Sequence, residues 1–384
     1  MINERYILNE FPAAAHSLYF DTARRGLLPL RVCNALGAFF EQQQGPGVDK
    51  EALGVEVGQT RDKAAELLHC SPEEIAFTKN TSEGLNIAAN AIRWEPGDNV
   101  VLPREEHPNN VYPWLNLAAR GIEIRLADVK ECVVDGERLS KYVDRRTRVV
   151  AVSHVSHFPG QRNDVRSIAD LCEANGAYLV VDAAQSLGLL DIDPLQQGVS
   201  MLAGTCHKGL MSSYGGGLFF CRGDLVDELT PASVARSSMT TAGLIEDFLV
   251  TSPDVRLRPD AQRFEAGNFN FVAVRALGAA LEVIANIGIE QIEAHVLALG
   301  QRFLYDLSGL EQVVPVNSGE LATRSAIMSI ALPGAGWDDY FSAQGVKLTM
   351  RRGAARVSFG LYTTPSQVDD LVSIIARRLS GGGA

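Results

Sequence analysis

The most constraining feature of this sequence is an alternation of short β-rich runs with helical patterns that begins near residue 75. One helical pattern ends at Gly176, a residue type that suits the end of a helix. Strands that alternate with helices favour an α/β fold with a mostly parallel central sheet and helices on both faces. The runs that predict strands are 75–78, 99–102, 122–126, 149–153, 178–182 and 217–221.

The pattern changes after about residue 255. A long helical pattern covers roughly 270–308, and shorter strands near 325–332 and 355–359 precede a closing helix at 365–379. This order predicts a smaller C-terminal α+β domain, and 384 residues are enough for two domains. The predicted units are an N-terminal segment that packs with the small domain (1–45), a large α/β domain (46–265) and the small domain (266–384).

Composition excludes several classes of protein. A net charge of −11 argues against a nucleic-acid surface, which needs clustered Lys and Arg. No apolar run approaches the roughly 20 residues that cross a bilayer, so no membrane partner is expected. Scattered cysteines without CxxC spacing predict neither a disulfide framework nor a metal site, and they favour a cytoplasmic protein. These cysteines are Cys33, Cys70, Cys132, Cys172, Cys206 and Cys221.

One acid and one lysine stand out against this background. Asp182 ends the apolar run YLVVD, and Lys208 follows 208 − 182 = 26 residues later, after a TCH sequence. That spacing leaves room for a turn, a crossover and one more strand, so both side chains can face one pocket at the carboxyl edge of the sheet. Pyridoxal 5'-phosphate needs such a pair: the lysine forms a Schiff base, and the carboxylate keeps the pyridine nitrogen protonated. Considered one at a time, each residue has an ordinary explanation that fits equally well: Lys208 as a solvated surface lysine, and Asp182 as a residue that caps the turn after its strand.

Other residues near this pair are candidates for the same cofactor. Asn80, Thr81 and Ser82 stand at a helix start, where they either hold a phosphate or simply cap the helix. Gln185 either reaches the phenolic oxygen of the cofactor or is a turn amide, and Ala184 either leaves space for a flat ring or fills the core. The glycines at 215–217 lack a following GK[ST], so a tight turn explains them better than a nucleotide loop.

Several histidines and arginines complete the set of candidates. His107, in REEHPNN, either stacks on an aromatic cofactor or is a loop residue without a task. His207 either donates to a phosphate or packs beside Lys208, and Thr205 belongs to the same cluster. Arg356, in ARVSFGLYTT, either binds a substrate carboxylate or forms a surface ion pair. Arg24 and Arg25 are weaker candidates for binding a second anionic group of the substrate, and at least one of them is expected to be a solvated surface residue. Arg25 is the one predicted to bind the substrate.

Taken in order, the motifs NTSEGLN, EHPNNVYPW, HVSHFPGQ, VVDAAQSLG, HKG and RFEAGNFN resemble the class V aminotransferase family of fold-type-I pyridoxal phosphate enzymes. That family includes cysteine desulfurases, isopenicillin N epimerase-like proteins and kynureninase-like enzymes. The resemblance extends from about residue 19 to 371. It implies a homodimer with shared active sites, in which Asn268 contacts the phosphate of the other subunit. It also implies roles for residues around the cofactor. Thr81, Ser82 and His207 would hold its phosphate, His107 would stack on its ring, Asp182 would pair with the ring nitrogen and Gln185 would reach the phenolic oxygen. Lys208 would carry the aldimine, and Arg356 would bind the α-carboxylate of the substrate.

Two departures from the family pattern bear on the reaction. His157 stands where desulfurases usually have Asn, and it offers an imidazole to the substrate instead. The stretch GVKLTMRRGAARVSF has no cysteine where desulfurases carry a mobile catalytic thiol, which argues against an enzyme persulfide. Cys206 adjoins the lysine, but a small buried thiol is the simpler explanation.

These observations predict an enzyme that binds an amino acid as an external aldimine, with Lys208 removing the α-proton. A C–S lyase or related β-elimination is the favoured reaction, followed by transamination and then epimerisation. A non-catalytic pyridoxal phosphate sensor is the alternative outside enzymes. A nicotinamide-dependent dehydrogenase shares the α/β pattern but would need a GxGxxG motif, which no early strand precedes. Loops at 24–30, 236–260 and 345–355 are expected to set specificity.

Overall fold

The computed structural model describes residues 2–45, 49–129, 133–240, 256–317 and 320–381. Its helices are α1 Glu4–Glu10, α2 Leu30–Gln43, α3 Lys50–Leu67, α4 Thr81–Ala91, α5 Tyr112–Leu115, α6 Gly136–Leu139, α7 Val165–Asn175, α8 Phe271–Ile287, α9 Ile289–Leu307, α10 Trp337–Ala343 and α11 Pro365–Leu379. Its strands are β1 Leu18–Tyr19, β2 Ile75–Thr78, β3 Asn99–Pro103, β4 Glu123–Ala127, β5 Thr147–Ser153, β6 Tyr178–Asp182, β7 Met201–Thr205, β8 Gly217–Cys221, β9 Val314–Pro315, β10 Ile327–Ala331, β11 Val346–Lys347, β12 Thr349–Arg351 and β13 Ala354–Ser358.

The large sheet has the order β2-β8-β7-β6-β5-β3-β4. The strands β4, β3, β5, β6 and β7 are parallel, whereas β8 runs antiparallel to both of its neighbours. Strands covered on both faces must be apolar throughout, and β3, β7 and β8 are buried at every residue. The predicted α/β fold with a mostly parallel sheet is confirmed.

The extra strand expected between Asp182 and Lys208 is β7. It lies parallel to β6, with Asp182 opposite Ala203 in the register. Both strands therefore end at the same edge of the sheet, which brings the segment from Thr205 to Lys208 beside Asp182. The predicted helix ending at Gly176 is α7, and Gly176 has the left-handed conformation of a C-terminal cap (φ 71°).

A second, antiparallel sheet of order β12-β13-β10-β9 packs with α9, α10 and α11 around its own core. The N-terminal segment reaches this region, because β1 pairs in parallel with β11 and Asp21 bridges to Ser358. The helix α8 instead packs against α2 and α3. The domain boundaries at 45/46 and 265/266 stay predictions.

The helical pattern at 270–308 is two helices rather than one. Helices α8 and α9 meet at Gly288, whose φ of 91° ends α8 and admits a bend of 80°. Within the described residues no single helix has the length and hydropathy of a membrane span, and only this bent pair, taken together, passes a test of length and composition.

Candidate active site

A cleft of about 330 Å³ opens where β5, β6 and β7 end, and we call it the sheet-edge cleft. It collects most of the residues that the sequence analysis singled out, from segments up to 128 positions apart (208 − 80). Asn109 and Ser153 also line it, and neither was predicted. The full lining is Asn80, Thr81, Ser82, His107, Asn109, Ser153, His157, Asp182, Ala184, Gln185, Thr205, His207 and Lys208.

Glycines bring the two loops that carry the acid and the lysine into backbone contact. A side chain on Gly188 would lie 2.6 Å from the carbonyl oxygen of Gly209, and one on Gly209 would lie 2.4 Å from the carbonyl oxygen of Leu187. The loop after β6 therefore packs directly on the loop after Lys208. Asp182 is held in turn by the backbone N–H of Ala184, which donates to its Oδ1 at 2.8 Å.

Burial opposes charge on both central groups. It raises the pKa of Asp182, although the Ala184 N–H and Lys208 act in the opposite direction. Burial lowers the pKa of Lys208 despite the attraction of Asp182, and Arg356 lowers it further. The amine of Lys208 is thus more readily neutral than that of an exposed lysine, and Asp182 favours a cationic partner that would stabilise its ionised form.

The start of α4 forms one wall of the sheet-edge cleft. Asn80 caps the helix by accepting the N–H of Glu83 at 3.0 Å. The hydroxyl of Thr81 is buried and has no hydrogen-bond partner in the described part of the chain. At a helix N-terminus, a buried hydroxyl without a partner and the free backbone N–H groups of the first turn are hydrogen-bond donors that a bound anion would satisfy.

His207 stands in the same cleft and is fixed on two sides. Its Nδ1 lies 2.7 Å from Oγ1 of Thr205, and its ring stacks on Tyr214 with centroids 4.2 Å apart. Burial, assisted by Lys208, lowers the pKa of His207 to about 4. The ring is therefore neutral near pH 7 and acts through hydrogen bonds rather than charge.

Two further imidazoles meet at the mouth of the cleft. The rings of His107 and His157 are perpendicular, with centroids 5.0 Å apart. Burial, with help from Lys208, lowers the pKa of His107 to about 4, and burial with help from Arg351 lowers that of His157 to about 3. Nδ1 of His107 accepts the N–H of Asn109 at 3.1 Å, which leaves the proton of the neutral ring on Nε2.

Glu106 is a residue that the sequence analysis missed. Its Oε1 accepts the N–H of Ser153 at 2.6 Å, and its Oε2 accepts the hydroxyl of Ser153 at 2.6 Å and the side-chain amide of Asn110 at 3.2 Å. Burial raises its pKa to about 7. Glu106 ties the His107 loop to the end of β5. An acid directly before His107 at a strand end was the available signal.

A second cleft of about 350 Å³ adjoins the first, and we call it the arginine cleft. It shares His107, His157, Gln185 and Lys208 with the sheet-edge cleft and adds Ala23, Arg24, Thr349, Arg351 and Arg356. Gln185, predicted to reach a cofactor oxygen, donates its amide to the carbonyl of Ala23 at 3.1 Å. Thr349 and Arg351 were not predicted individually.

Arg356 is only 4% exposed and is held from two directions. Its Nη1 donates to the carbonyl of His157 at 3.0 Å, and its Nη2 lies 3.5 Å from Oδ1 of Asp21. Its Nε has no partner in the described part of the chain. Burial lowers the pKa of Arg356, and Asp21 opposes that effect. A buried guanidinium with donor capacity left over suits a carboxylate ligand.

Two predicted residues lie apart from these clefts. Arg25 lines neither of them, and its carbonyl accepts the hydroxyl of Tyr19 at 2.8 Å. Asn268 lines another cleft, of about 290 Å³, together with Lys79 and residues 215–217. Gly215 there has a φ of 82°, in agreement with the predicted tight turn. The roles proposed for Arg25 and Asn268 stay predictions.

Comparisons with known proteins show which family and which solved structures the chain resembles. The model of the family described as Aminotransferase class-V matches residues 18–371. A probable cysteine desulfurase of Methanothermobacter thermautotrophicus is 33% identical over 313 residues, which are 80% of this chain and 76% of that protein.

Two solved structures of one protein, C-DES, share the fold at 24% identity. One is a mutant with glycine covalently linked to its PLP cofactor, with a TM-score of 0.88 over 98% of this chain and 99% of that one. The other is the cystine C-S lyase C-DES in complex with its reaction product cysteine persulfide, with a TM-score of 0.87 over 97% of this chain and 100% of that one.

Proposed function

Because the chain belongs to the class V aminotransferase family of pyridoxal 5'-phosphate enzymes, we propose that it uses this cofactor to cleave a carbon–sulfur bond in an amino-acid substrate. The observation that carries the proposal is the pairing of a lysine cleft suited to the cofactor with an arginine suited to a carboxylate, and with no cysteine in the described lining of either cleft.

The sheet-edge cleft fits the cofactor at both ends. Thr81, Ser82 and the first turn of α4 would hold its phosphate, because the buried Thr81 hydroxyl lacks a partner without an anion. Asp182 would face its pyridine nitrogen, since a buried carboxylate with a raised pKa gains most from a cation. Lys208, whose pKa burial lowers, would supply the amine for its attachment.

When bound, pyridoxal 5'-phosphate supplies an aldehyde that captures amines and an electron-poor ring that stabilises negative charge at the substrate α-carbon. The chain's own residues do the rest. Arg356 binds the α-carboxylate and so orients the α-carbon towards Lys208. Nζ of Lys208 removes the α-proton and returns it to the departing sulfur. His107 would stack on the ring of the cofactor, and the neutral ring of His157 would line the space that the side chain of the substrate occupies.

The positions of the cysteines separate this proposal from desulfuration through an enzyme persulfide. All six cysteines of the chain lie at or before Cys221, far from the arginine motif in the sequence. The described residues that line the two clefts include no cysteine. Cys206 is fully buried, and burial raises the pKa of its thiol to about 12, so it holds almost no thiolate near pH 7.

Relatives named as cysteine desulfurases favour the same sulfur-containing substrates but not this detail of the route. In the proposed reaction the substrate R–S–CH₂–CH(NH₃⁺)–COO⁻ loses its α-proton and its Cβ–S bond. The electron pair of the C–S bond leaves with sulfur, which takes the proton and departs as the thiol R–SH. The remaining aminoacrylate adds water and releases pyruvate and ammonium. No oxidant or protein thiol takes part.

We further propose a cytoplasmic homodimer in which Asn268 completes the active site of the partner subunit. This proposal rests on the family resemblance of RFEAGN and on the position of Asn268, which lines neither the sheet-edge cleft nor the arginine cleft of its own chain. Light scattering of the purified protein measures the mass. A monomer that binds the cofactor at full occupancy would contradict shared sites.

Product analysis tests the proposed reaction. Purified protein with pyridoxal 5'-phosphate is supplied with L-cystine, S-substituted L-cysteines, L-alanine and L-aspartate. Elimination predicts equal amounts of pyruvate and ammonium from the sulfur substrates only, with a thiol released from the S-substituted cysteines and cysteine persulfide from L-cystine. A pyridoxamine spectrum with an oxo acid would indicate transamination, and loss of optical purity with solvent deuterium at the α-carbon would indicate epimerisation. Either result without pyruvate would overturn the lyase proposal.

A further inference from the structure

We infer that the substrate carries a second anionic group beyond its α-carboxylate, and that Arg351 and Arg24 bind it in the arginine cleft. This inference rests on the proposed function, because it specifies the substrate of the same site. It follows from a surplus of positive side chains that neither the cofactor nor an ordinary amino acid would neutralise.

The register of the small sheet places the arginines together. In the antiparallel pair β12–β13, Thr349 lies opposite Arg356, and directly opposed residues project from the same face. Arg351 follows Thr349 by two residues on β12 and therefore projects from that face as well. Arg24 reaches the cleft from the N-terminal segment.

The arginine cleft is strongly positive in a chain whose net charge is −11. Its described lining contains three arginines and Lys208 but no Asp or Glu. Asp21 lies 3.5 Å from Nη2 of Arg356 and accepts the hydroxyl of Thr349, and within the described residues it forms no ion pair with Arg24 or Arg351. Within the described residues the side chains of Arg24 and Arg351 form neither a hydrogen bond nor an ion pair. One α-carboxylate satisfies one guanidinium, so two remain for another anion.

The neighbouring Arg352 shows that the same hairpin can supply an ordinary surface ion pair. It is exposed and pairs with Glu105, whereas Arg351, one position earlier, turns into the cleft and is partly buried. Burial lowers the pKa of Arg351, and Arg352 adds to the effect. A partly buried cation without a counter-ion loses hydration and is destabilised, and an anionic ligand bound beside Arg351 would offset this desolvation penalty.

The chemistry of the site narrows the ligand. A planar guanidinium pair favours carboxylate, and the group must lie on the sulfur side of the bond that breaks, because Arg356 takes the α-carboxylate. The substrate class is therefore an S-substituted L-cysteine whose substituent ends in a carboxylate.

A matched pair of substrates tests this selectivity. S-carboxymethyl-L-cysteine and S-carbamoylmethyl-L-cysteine have the same shape, but only the first carries the second charge. We expect kcat/KM to favour the carboxylate by about 10-fold or more, measured as pyruvate release. Arg351→Gln and Arg24→Gln should each reduce this preference several-fold, and the double variant should abolish it. Arg352→Gln removes the same charge from the same hairpin outside the cleft and should keep the preference.

A binding measurement separates this inference from the proposed reaction. Succinate and succinamate differ by one negative charge, and neither can undergo the elimination reaction. Calorimetry with the cofactor-loaded protein therefore measures only how the arginine cleft binds the second anionic group. Tighter binding of succinate by about 10-fold, lost in Arg351→Gln but not in Arg352→Gln, supports the inference even if no substrate yields pyruvate. Pyruvate release without preference in either experiment would overturn the inference while the lyase proposal stands.

Discussion

The sheet-edge cleft and the arginine cleft share four residues but are built differently. The sheet-edge cleft is set at the end of one buried, mostly parallel sheet, where neighbouring strands β6 and β7 fix Asp182 and the segment leading to Lys208. The arginine cleft is assembled from the N-terminal segment, the small sheet and the loop of His157. The first is centred on one sheet edge, with the start of α4 as a wall, whereas the second depends on the packing of the small sheet and the N-terminal segment against the large sheet.

This difference indicates separate functions for the two clefts: the sheet-edge cleft would hold the cofactor, and the arginine cleft would select the substrate. A rigid sheet edge suits the cofactor chemistry that the family shares, because the reacting groups must hold one geometry. A site at a junction can change its ligand through a few side chains without disturbing that geometry. Asp21 joins the parts: its Oδ1 accepts the hydroxyl of Thr349 at 2.8 Å and lies 3.5 Å from Nη2 of Arg356.

The largest expected effect lies in the sheet-edge cleft. Lys208→Ala should lower kcat by about 10³-fold or more, because it removes both the amine for attachment and the base. Borohydride treatment and peptide mapping should find the reduced cofactor on Lys208 in the wild type. Lys141→Ala, at an exposed position, is the matched control and should keep full activity. Cofactor reduced onto another lysine would contradict the assignment.

In the arginine cleft, Arg356→Gln should lower kcat/KM by about 100-fold and destabilise the fold by about 3 kcal/mol, because buried Asp21 loses its cation. Steady-state kinetics and urea unfolding measure the two losses. Adding Asp21→Asn should recover most of the stability but none of the activity. Recovery of both would mean that Arg356 is a structural ion-pair partner only.

Gly26 tests whether the two clefts are mechanically linked. A side chain there would lie 2.2 Å from the carbonyl oxygen of Lys208, so Gly26→Ala should cost about 2–3 kcal/mol of unfolding free energy and displace the lysine loop. Gly58→Ala, in α3 with open space around it, should instead stabilise by about 0.5–1 kcal/mol. If Gly26→Ala and Gly58→Ala changed the free energy of unfolding equally in urea, close packing of Gly26 against the Lys208 loop would be refuted.

Glu106 gives the sheet-edge cleft a pH dependence. Burial raises its pKa from the ordinary 4.5 to about 7, so the folded protein binds this proton more tightly than the unfolded chain between those values. The contribution of Glu106 to stability should therefore fall by about 2 kcal/mol as the pH rises through this window, after allowance for solvent screening, whereas His107, His157 and His207, whose pKa values burial lowers, act in the opposite direction. Urea unfolding of the cofactor-free protein at several pH values isolates this contribution as a difference, because the stability of the wild type relative to Glu106→Gln should fall between pH 4.5 and 7. An unchanged slope would exclude Glu106 as its source.

The smallest effect concerns the phosphate end of the sheet-edge cleft. Thr81→Val should raise the cofactor dissociation constant by about 5-fold, equivalent to about 1 kcal/mol, and should not destabilise the cofactor-free protein, whose Thr81 hydroxyl lacks a partner. Thr78→Val is the control, because that hydroxyl donates to the carbonyl of Asn80 and its loss should weaken the fold. Unchanged cofactor affinity in Thr81→Val would remove Thr81 from the phosphate site.

The sequence predicted the sheet-edge cleft better than the arginine cleft, for a physical reason. The apolar pattern of a strand such as 178–182 shows in the sequence where that strand ends. Parallel neighbours end at the same edge of the sheet, so the sequence alone predicted that Asp182 and Lys208 lie together. No local pattern indicated which of Arg24 and Arg25 enters a cleft, nor that Arg351 turns inward while Arg352 pairs outward. Glu106 was missed because its partner Ser153 lies on another strand.

The sequence by itself determined the α/β class, the parallel edge and the acid and lysine at that edge, because strand periodicity and chain order are local properties of the chain. Only the tertiary structure decided the bend at Gly288, the pairing of Asp21 with Arg356 and the positive surplus around Arg351. The last two of these features depend on the register between β12 and β13 and on contacts between segments more than 300 residues apart, and such contacts leave no local pattern in the sequence.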